Sequence, residues 1–273
     1  MVEEWICRTC GAQFAASEAP PRGCPICQDQ RQYLRPEGTT WTTRSRLQAD
    51  GFRNTTREYE PGLLGIGTTP QFAIGQRALL VGTAAGNVLW DCISLLDDET
   101  AESVAQRGGI AAIAISHPHF YTSMVDWAER FDARIYLHEA DRRWVMRPSD
   151  RITFWSGETL SPLEGITLLR LGGHFSGSTA LHWRDGAAGR GALLTGDTIT
   201  VVPDRAWVSF MFSYPNLIPL PAAEVRRIAT TVARYTFDRL YGGWFDAVVA
   251  EDARGAVLRS ADRYTHALEA TPE

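Results

Sequence analysis

Three short apolar runs in this chain are each followed directly by side chains that bind metals. Residues 110–115, 168–171 and 192–194 have the composition of buried strands. The metal-type residues that follow them are His117, His119, His174 and Asp197. Loops at the ends of buried strands are where a rigid sheet presents functional groups, so we expect these side chains to meet. Three imidazoles and a carboxylate suit a first-row divalent metal.

The motifs around these residues resemble those of the metallo-β-lactamase superfamily. The counterparts are the His-Pro-His within residues 116–122, the Gly-Gly-His at 172–174, the Gly-Asp at 196–197 and a strand at 87–92 that contains an aspartate. The resemblance covers about residue 57 to the C-terminus. It implies an α/β fold, a four-layer αββα sandwich with the site along one edge between the two sheets. It also implies that His117, His119 and His174 form the first metal position and that Asp197 is the bridging carboxylate.

The chain departs from this family at the second metal position. Tyr121 and Thr122 stand where the family has an aspartate and a histidine, and residues 241–244 lack the family's last histidine ligand. The later His266 lies in a segment of helical character and is a poor substitute. We therefore expect one metal ion at this site, zinc or iron. Asp197 would bind the metal or orient water, and the phenol of Tyr121 would donate a hydrogen bond to a developing oxyanion.

A second metal site is predicted near the N-terminus. Cys7 and Cys10 form one Cys-x-x-Cys pair, and Cys24 and Cys27 form another. Two such pairs are typical of a zinc ribbon or a rubredoxin-like iron site. A closed four-thiolate site has no open position for a substrate, so we expect a structural Zn²⁺. Iron is an alternative because tetrahedral sulfur ligands suit either metal.

Length and composition indicate one large domain with a small module. Residues 1–40 contain few apolar side chains and would need a metal to fold, whereas the 273-residue chain, 44% hydrophobic, can build a large core elsewhere. We predict a four-cysteine module at 1–40, a polar linker at 41–56 that packs on the main domain, and a metallo-β-lactamase-like domain at 57–273.

Composition also limits the partners that we expect. All 27 basic residues are arginine, which excludes chemistry that needs a lysine Schiff base. A net charge of −5 without a basic cluster argues against nucleic-acid binding. The N-terminus does not resemble a signal peptide and no apolar run is long enough to cross a membrane, so we expect a cytoplasmic protein without a membrane partner. The composition leaves the oligomeric state open.

Hydrophobic periodicity predicts the order of the elements in the main domain. We expect strands at 72–74, 78–81, 87–90, 110–115, 135–137, 166–171, 180–183 and 192–194, and helices at 98–107, 124–131, 139–145, 221–235 and 252–268. The strands come in two batches, and each batch closes with helices. This order favours two sheets with helices on the outside.

An aromatic-rich stretch follows the Asp197 loop. If residues 203–217 line the site, Trp207 and Tyr214 would contact the apolar part of a substrate, and Arg205 would bind a carboxylate or phosphate in bidentate fashion. Packing in the core is the alternative for this stretch. Trp244 lies near the absent last histidine and would fill the space of the second metal.

These observations favour a mononuclear metallo-hydrolase that acts on an ester, thioester or related acyl bond of a small, partly apolar substrate. An iron-dependent oxidoreductase, with the four-cysteine module passing electrons, is an alternative because histidine and carboxylate ligands also suit iron. A third hypothesis is a non-catalytic metal-binding or regulatory protein with the same fold.

Overall fold

Two β-sheets face each other in the main body of the protein. The computed structural model describes residues 2–270; Met1 and residues 271–273, at the ends of the predicted domains, lie outside the described residues. The seven-stranded sheet contains, in spatial order, Arg53–Glu60, Leu63–Thr69, Ala78–Thr83, Gly86–Trp90, Ala112–Ala114, Arg134–His138 and Ile152–Trp155. The six-stranded sheet contains Thr159–Leu160, Ile166–Arg170, Thr179–Trp183, Ala192–Leu194, Arg239–Tyr241 and Val248–Val249.

Alternating side chains divide the interior into three apolar layers. Leu63 and Leu79 point into the layer between the sheets, where they pack with residues such as Leu181, whereas the neighbouring Leu64 and Leu80 point to the outer layer. This alternation follows from the two-residue repeat of a strand. A sheet that is buried on both faces needs helices outside it, and these are present on both sheets.

Helices cover the outer faces of both sheets. Asp98–Gln106 and Met124–Phe131 pack on the seven-stranded sheet, and Ala222–Val232 and Ala253–Glu269 pack on the six-stranded sheet. The four layers confirm the predicted αββα sandwich. Within residues 2–270, no helix combines the length and the apolar character needed to cross a membrane.

Shorter elements complete the fold. They are the α-helices Pro25–Gln28 and Arg44–Ala49, the turn Gly186–Gly189, the 3₁₀-helices Pro118–Phe120 and Glu139–Trp144, and the strand pairs Ile6–Cys7 with Trp41–Thr42, Thr200–Val201 with Val208–Ser209, and Met211–Ser213 with Ile218–Pro219.

The cysteine-containing N-terminal segment packs directly on the main body. All four predicted cysteine ligands are buried in the same apolar cluster as the outer face of the seven-stranded sheet. The amide of Gln13 donates a hydrogen bond to the carbonyl of Thr122 at 3.0 Å, and the amide of Ala15 donates to that of Met146 at 3.1 Å. These bonds join the segment to the loops that follow two strands of the seven-stranded sheet.

The segment predicted as an irregular linker, residues 41–56, contains regular structure. It includes the helix Arg44–Ala49 and the start of the edge strand Arg53–Glu60. Thr43 caps the helix, since its side chain accepts a hydrogen bond from the amide of Arg46. The helix buries a single apolar side chain, Leu47, and the edge strand is largely exposed, so neither element produces hydrophobic periodicity.

Two further local predictions differ from the structure. Residues 72–74 form a turn, in which the amide of Gly75 donates to the carbonyl of Phe72 at 2.9 Å, and do not form a strand. Burial of Phe72 in a small apolar cluster explains the apolar signal there. Residues 139–145 contain the 3₁₀-helix Glu139–Trp144 where an α-helix was expected.

We expect Leu47→Ala to destabilise the protein by about 2–5 kcal/mol, because it removes a fully buried side chain from the cluster with Ile6, Phe72 and Leu95. Chemical denaturation would measure the change in the free energy of unfolding. Leu268→Ala is the matched control, since this helical leucine is 44% exposed, and it should change stability by less than about 0.5 kcal/mol. Equal effects of the two substitutions would show that residues 41–56 do not belong to the core.

Candidate metal centre

Three strand ends deliver the predicted histidine and aspartate ligands to one place. His117 and His119 follow the strand Ala112–Ala114, with His119 in the 3₁₀-helix Pro118–Phe120. His174 lies in the loop between the antiparallel strands Ile166–Arg170 and Thr179–Trp183. Asp197 follows Ala192–Leu194 in the six-stranded sheet. The site therefore lies at an edge where loops from both sheets meet.

Close contacts at Ser116 hold the two sheets together beside the site. The amide of Thr179 donates to the carbonyl of Ser116 at 2.9 Å. Gly196 has a φ of +52°, and a Cβ at this position would lie 2.4 Å from Ser116 Oγ. Only glycine satisfies both the left-handed backbone and this close approach. The Gly-Asp motif thus places Asp197 against the His117 loop.

The four donor atoms are spaced as metal ligands. Asp197 Oδ2 lies 3.3 Å from His117 Nε2, 3.8 Å from His119 Nδ1 and 3.8 Å from His174 Nε2. His174 Nε2 lies 3.4 Å from His119 Nδ1. Ligands about 2.0–2.1 Å from a tetrahedral metal would be roughly 3.3–3.4 Å apart, so a small contraction around an ion would complete the site.

Unpaired buried atoms support the same interpretation. Among the described residues, His117 Nε2 and Asp197 Oδ1 are buried and have no hydrogen-bond partner. Buried polar atoms without a partner are rare in native proteins and call for an ion, a water molecule or another ligand. The donor set and these atoms fit a divalent metal held by His117, His119, His174 and Asp197.

Neighbouring groups orient the ligands. Ser116 Oγ lies 2.9 Å from His117 Nδ1, and the carbonyl of Met211 lies 3.3 Å from His174 Nδ1. The Tyr214 hydroxyl donates to the backbone carbonyl of Asp197 at 2.8 Å. Contacts of this kind select the ring nitrogen that faces a metal.

The site favours neutral His119 and His174 and an ionised Asp197. Burial lowers the pKa of His119 and, together with the neighbouring His117 and His119, lowers that of His174 further. Burial alone would raise the pKa of Asp197, but the adjacent histidine rings, His117 first among them, hold it well below its ordinary value. Neutral imidazoles and an ionised carboxylate are the protonation states that bind metal, so these three groups are favoured in their ligand forms.

The four cysteines form a second cluster. Their sulfurs lie within 4.8 Å of one another, and the Cys7–Cys27 and Cys10–Cys24 sulfur pairs are each 3.7 Å apart. A tetrahedral ion with bonds of about 2.3 Å to sulfur would have ligands roughly 3.8 Å apart, which matches these distances. Zinc and iron both fit this donor set.

One side chain connects the two clusters. Gln76 Nε2 donates to the carbonyl of Cys10 at 3.0 Å and to the carbonyl of His119 at 3.2 Å. Gln76 is buried, so no solvent competes for these bonds. The backbone of a cysteine ligand and that of a histidine ligand are thus held by the same amide. Sequence reasoning missed Gln76, because no periodicity or motif marks a residue that acts through a tertiary hydrogen bond.

A cavity of about 100 Å³ lies against the histidine site. Tyr214 and Trp244, two of the predicted substrate-binding residues, line it together with Arg31, Gln32, Tyr33, Ile74, His119, His174, Asp197 and Pro215. The Trp244 indole donates to the carbonyl of Ile74 at 3.0 Å. Residues 31–33 were not expected here, since they follow the last cysteine ligand in a stretch without a recognisable motif.

Three other predicted site residues lie elsewhere. Tyr121 is buried beside a different small cavity that Ile26 also lines, and burial raises the pKa of its phenol. Arg205 is exposed, and its guanidinium donates to the carbonyl of Val202 at 3.0 Å. Trp207 lies under the Arg263 guanidinium, 3.7 Å from the ring centroid. The antiparallel strand pairs within residues 200–219 reverse the direction of the chain twice. Tyr214 therefore lines the cavity, whereas Arg205 and Trp207 do not.

Comparison with known proteins identifies a close relative. The chain is 53% identical over 265 residues to the uncharacterized protein YmaE of Bacillus subtilis (strain 168), covering 97% of this chain and 96% of YmaE. The chain belongs to the YmaE family. No protein-family model matches the sequence.

Solved metallo-β-lactamase structures resemble this chain in fold. VMB-1 has a TM-score of 0.60 at 11% identity, covering 80% of this chain and 99% of that one. The Hirschia baltica metallo-β-lactamase has a TM-score of 0.55 at 16% identity (78% and 97% covered), and the mono-zinc form of FIM-1 from Pseudomonas aeruginosa has 0.56 at 14% (78% and 96%). The chain therefore has the metallo-β-lactamase fold, as its motifs predicted.

We expect Gln76→Leu to weaken metal binding at the histidine site by about tenfold, because the backbone of His119 loses its anchor. The substitution should also destabilise the protein by about 1–3 kcal/mol for each carbonyl left unpaired. Competition with a chromophoric chelator would measure the affinity. The exposed Gln48→Leu is the control and should change neither quantity. Wild-type affinity in a destabilised Gln76→Leu protein would show that Gln76 does not position the ligands.

Proposed function

We propose that this member of the YmaE family is a metal-dependent hydrolase with one catalytic ion. The observation that carries the proposal is the convergence of three imidazole nitrogens and one carboxylate oxygen at ligand spacing beside a cavity. A metal bound there would act as a Lewis acid and lower the pKa of a water molecule. The chain's own residues have to hold the ion, admit the substrate and exclude bulk water.

Close packing around Phe120 supports the absence of a second ion, which the resemblance to the metallo-β-lactamase superfamily would put near residues 241–244. Gly243, at the position of the missing last ligand, packs so closely on Phe120 that a Cβ would lie 2.7 Å from its ring. The Trp244 ring lies 6.3 Å from the Phe120 ring, centroid to centroid. His266, the remaining histidine beyond this position, is exposed on the helix Ala253–Glu269. This packing supports a mononuclear site.

The proposed roles of the site residues follow from their positions. His117, His119 and His174 would hold the ion, and Asp197 would either bind it or turn to orient water. Zinc in catalytic sites can expand to five ligands, so a fourth protein ligand is compatible with substrate binding from the cavity side. The Tyr214 hydroxyl is occupied by the Asp197 carbonyl and so serves to position Asp197.

The cavity wall favours a partly apolar small-molecule substrate. Ile74, Pro215 and Trp244 present apolar surface next to the ligands, and the volume of about 100 Å³ admits a small acyl group. An ester, thioester or related acyl bond combines such a group with a carbonyl that a metal can polarise. We therefore place acyl hydrolysis ahead of phosphodiester hydrolysis.

An iron-dependent oxidoreductase is the second candidate, and the Gln76 bridge is the observation that favours it. The bridge links a cysteine ligand to a histidine ligand through one amide, a short path along which electrons could pass. This reading requires iron in both clusters. A structural zinc in the cysteine cluster would exclude electron transfer through this bridge.

Metal analysis separates the two candidates. For the hydrolase we expect about two zinc ions per chain and a colourless protein, because zinc has a filled d shell. Protein purified under low oxygen and examined by elemental analysis and visible absorption would give the answer. Iron with thiolate charge-transfer bands would replace the hydrolase proposal with the oxidoreductase.

We expect His174→Ala to lose one metal ion and all acyl hydrolysis, because the ion loses one of its four protein ligands and a cavity takes the place of the imidazole. His182→Ala is the control, since His182 lies in the neighbouring strand and its Nε2 contacts the carbonyl of Thr236 at 2.8 Å, outside the site. Turnover of an ester and thioester panel would be measured beside the metal content. Full turnover in metal-depleted His174→Ala protein would disprove the proposed function.

A further inference from the structure

Arg31 stands between two cavities. It lines the cavity of about 100 Å³ beside the histidine site and also a larger cavity of about 530 Å³. Gly172 and Gly173, next to the ligand His174, line the larger cavity as well. Together the two spaces have the size of a small-molecule binding site, and Arg31 forms part of the wall of each.

The Arg31 guanidinium is held rigidly. It lies between two aromatic rings, 4.4 Å from the centroid of Phe175 and 4.6 Å from that of Phe212. Its Nη1 donates to Asp29 Oδ1 at 2.7 Å, and its side chain is only 12% exposed. An arginine fixed by stacking loses little further entropy when it binds a planar anion.

The backbone around Arg31 is also fixed. Ser213 Oγ donates to the carbonyl of Arg31 at 3.2 Å, and Asn216 Nδ2 donates to the carbonyls of Gln30 and Gln32 at 2.9 and 3.0 Å. These bonds fasten the segment after the last cysteine ligand to the loop that carries Tyr214. The N-terminal module therefore supplies one wall of the site.

Arg31 has unused donor capacity. A guanidinium carries five N–H donors, and Nε of Arg31 is buried without a hydrogen-bond partner among residues 2–270. All three arginines of the larger cavity are paired with a carboxylate, Arg31 with Asp29 at 2.7 Å, Arg170 with Glu158 at 3.4 Å and Arg227 with Glu224 at 2.8 Å, but Arg170 and Arg227 are more exposed than Arg31. Arg31, which also lines the cavity beside the metal ligands, is thus the least exposed of the three and keeps donors for a ligand.

We propose that Arg31 binds an anionic group of the substrate, so that the N-terminal module determines specificity. The substrate would span both cavities, with its acyl bond at the histidine site and a carboxylate or phosphate against Arg31. This inference rests on the proposed function for the position of the acyl bond. It adds to that function the chemical class of the substrate, an acyl compound with a distal anion.

Binding of simple acids to the metal-loaded protein tests the proposal without turnover. Calorimetry would compare straight-chain dicarboxylates from butanedioate to octanedioate with the monocarboxylates of equal length, and 6-(phosphonooxy)hexanoate would distinguish a phosphate preference. One carboxylate can occupy the metal site, and the second can reach Arg31. We expect a dicarboxylate of the right length, or the phosphorylated acid, to bind about tenfold tighter than the monocarboxylate, as a charge-assisted hydrogen bond would produce.

Arg31→Leu should abolish this preference and leave monocarboxylate affinity within about twofold, and Arg31→Lys should keep only part of it. Arg263→Leu is the matched control, because Arg263 also stacks on an aromatic ring but lines neither cavity, and it should keep the full preference. Thermal unfolding and metal content would establish that each variant is folded and loaded with metal. If Arg31→Leu is not folded or does not bind metal, Arg31→Lys replaces it as the test variant.

No preference in the wild-type protein, or a preference that survives in the folded Arg31 variant, would overturn the inference. A failure of the proposed function can be told apart from a failure of this inference. If the protein shows the dicarboxylate preference but does not hydrolyse the corresponding esters, hydrolysis is rejected and Arg31 remains an anion-binding residue.

Discussion

The contact between Ser116 and Gly196 is the constraint on which the site depends. The His117 loop follows the seven-stranded sheet, and the Asp197 loop follows the six-stranded sheet. Ligands from two different sheets can bind one ion only if the loops that carry them are in contact. The glycine at position 196 permits this approach, and the Thr179–Ser116 hydrogen bond maintains it. A larger side chain at 196 would separate His117 from Asp197 and so dismantle the ligand set.

Much of this site could be predicted because the sequence signals for it lie within short stretches of the chain. Each ligand directly follows a short apolar strand, and the strand pattern and the ligand motif are neighbours in the sequence. The sandwich was predictable for a similar reason, since Leu63 and Leu64 reach opposite faces of one sheet through the two-residue repeat of a strand. Resemblance to the metallo-β-lactamase superfamily added the relative positions of the loops, which local patterns do not contain.

Predictions failed where a residue's role depends on distant partners. The Gln76 amide contacts carbonyls at positions 10 and 119, and the Arg31 guanidinium lies between the rings at 175 and 212. Neither contact has a counterpart in periodicity or spacing. The aromatic stretch shows the same limit, because its composition indicated a pocket, whereas the strand pairs that fold it back decide that Tyr214, and not Trp207, reaches the cavity. Composition identifies such a segment, but only the turns decide which side chain faces the site.

The cysteine cluster lies close in sequence to one wall of the cavity beside the histidine site. A closed four-thiolate site contributes folding energy, and here residues 31–33, which follow Cys27 closely, form a wall of the metal cavity. The Asn216 and Ser213 hydrogen bonds hold that wall from the other side. Loss of the ion from the cysteines would leave the wall attached at one end, and both Arg31 and the carbonyl that Gln76 holds at Cys10 would lose their support. The cysteine cluster thus supports this cavity through the residues next to it, and no cysteine is among the described residues that line the cavity.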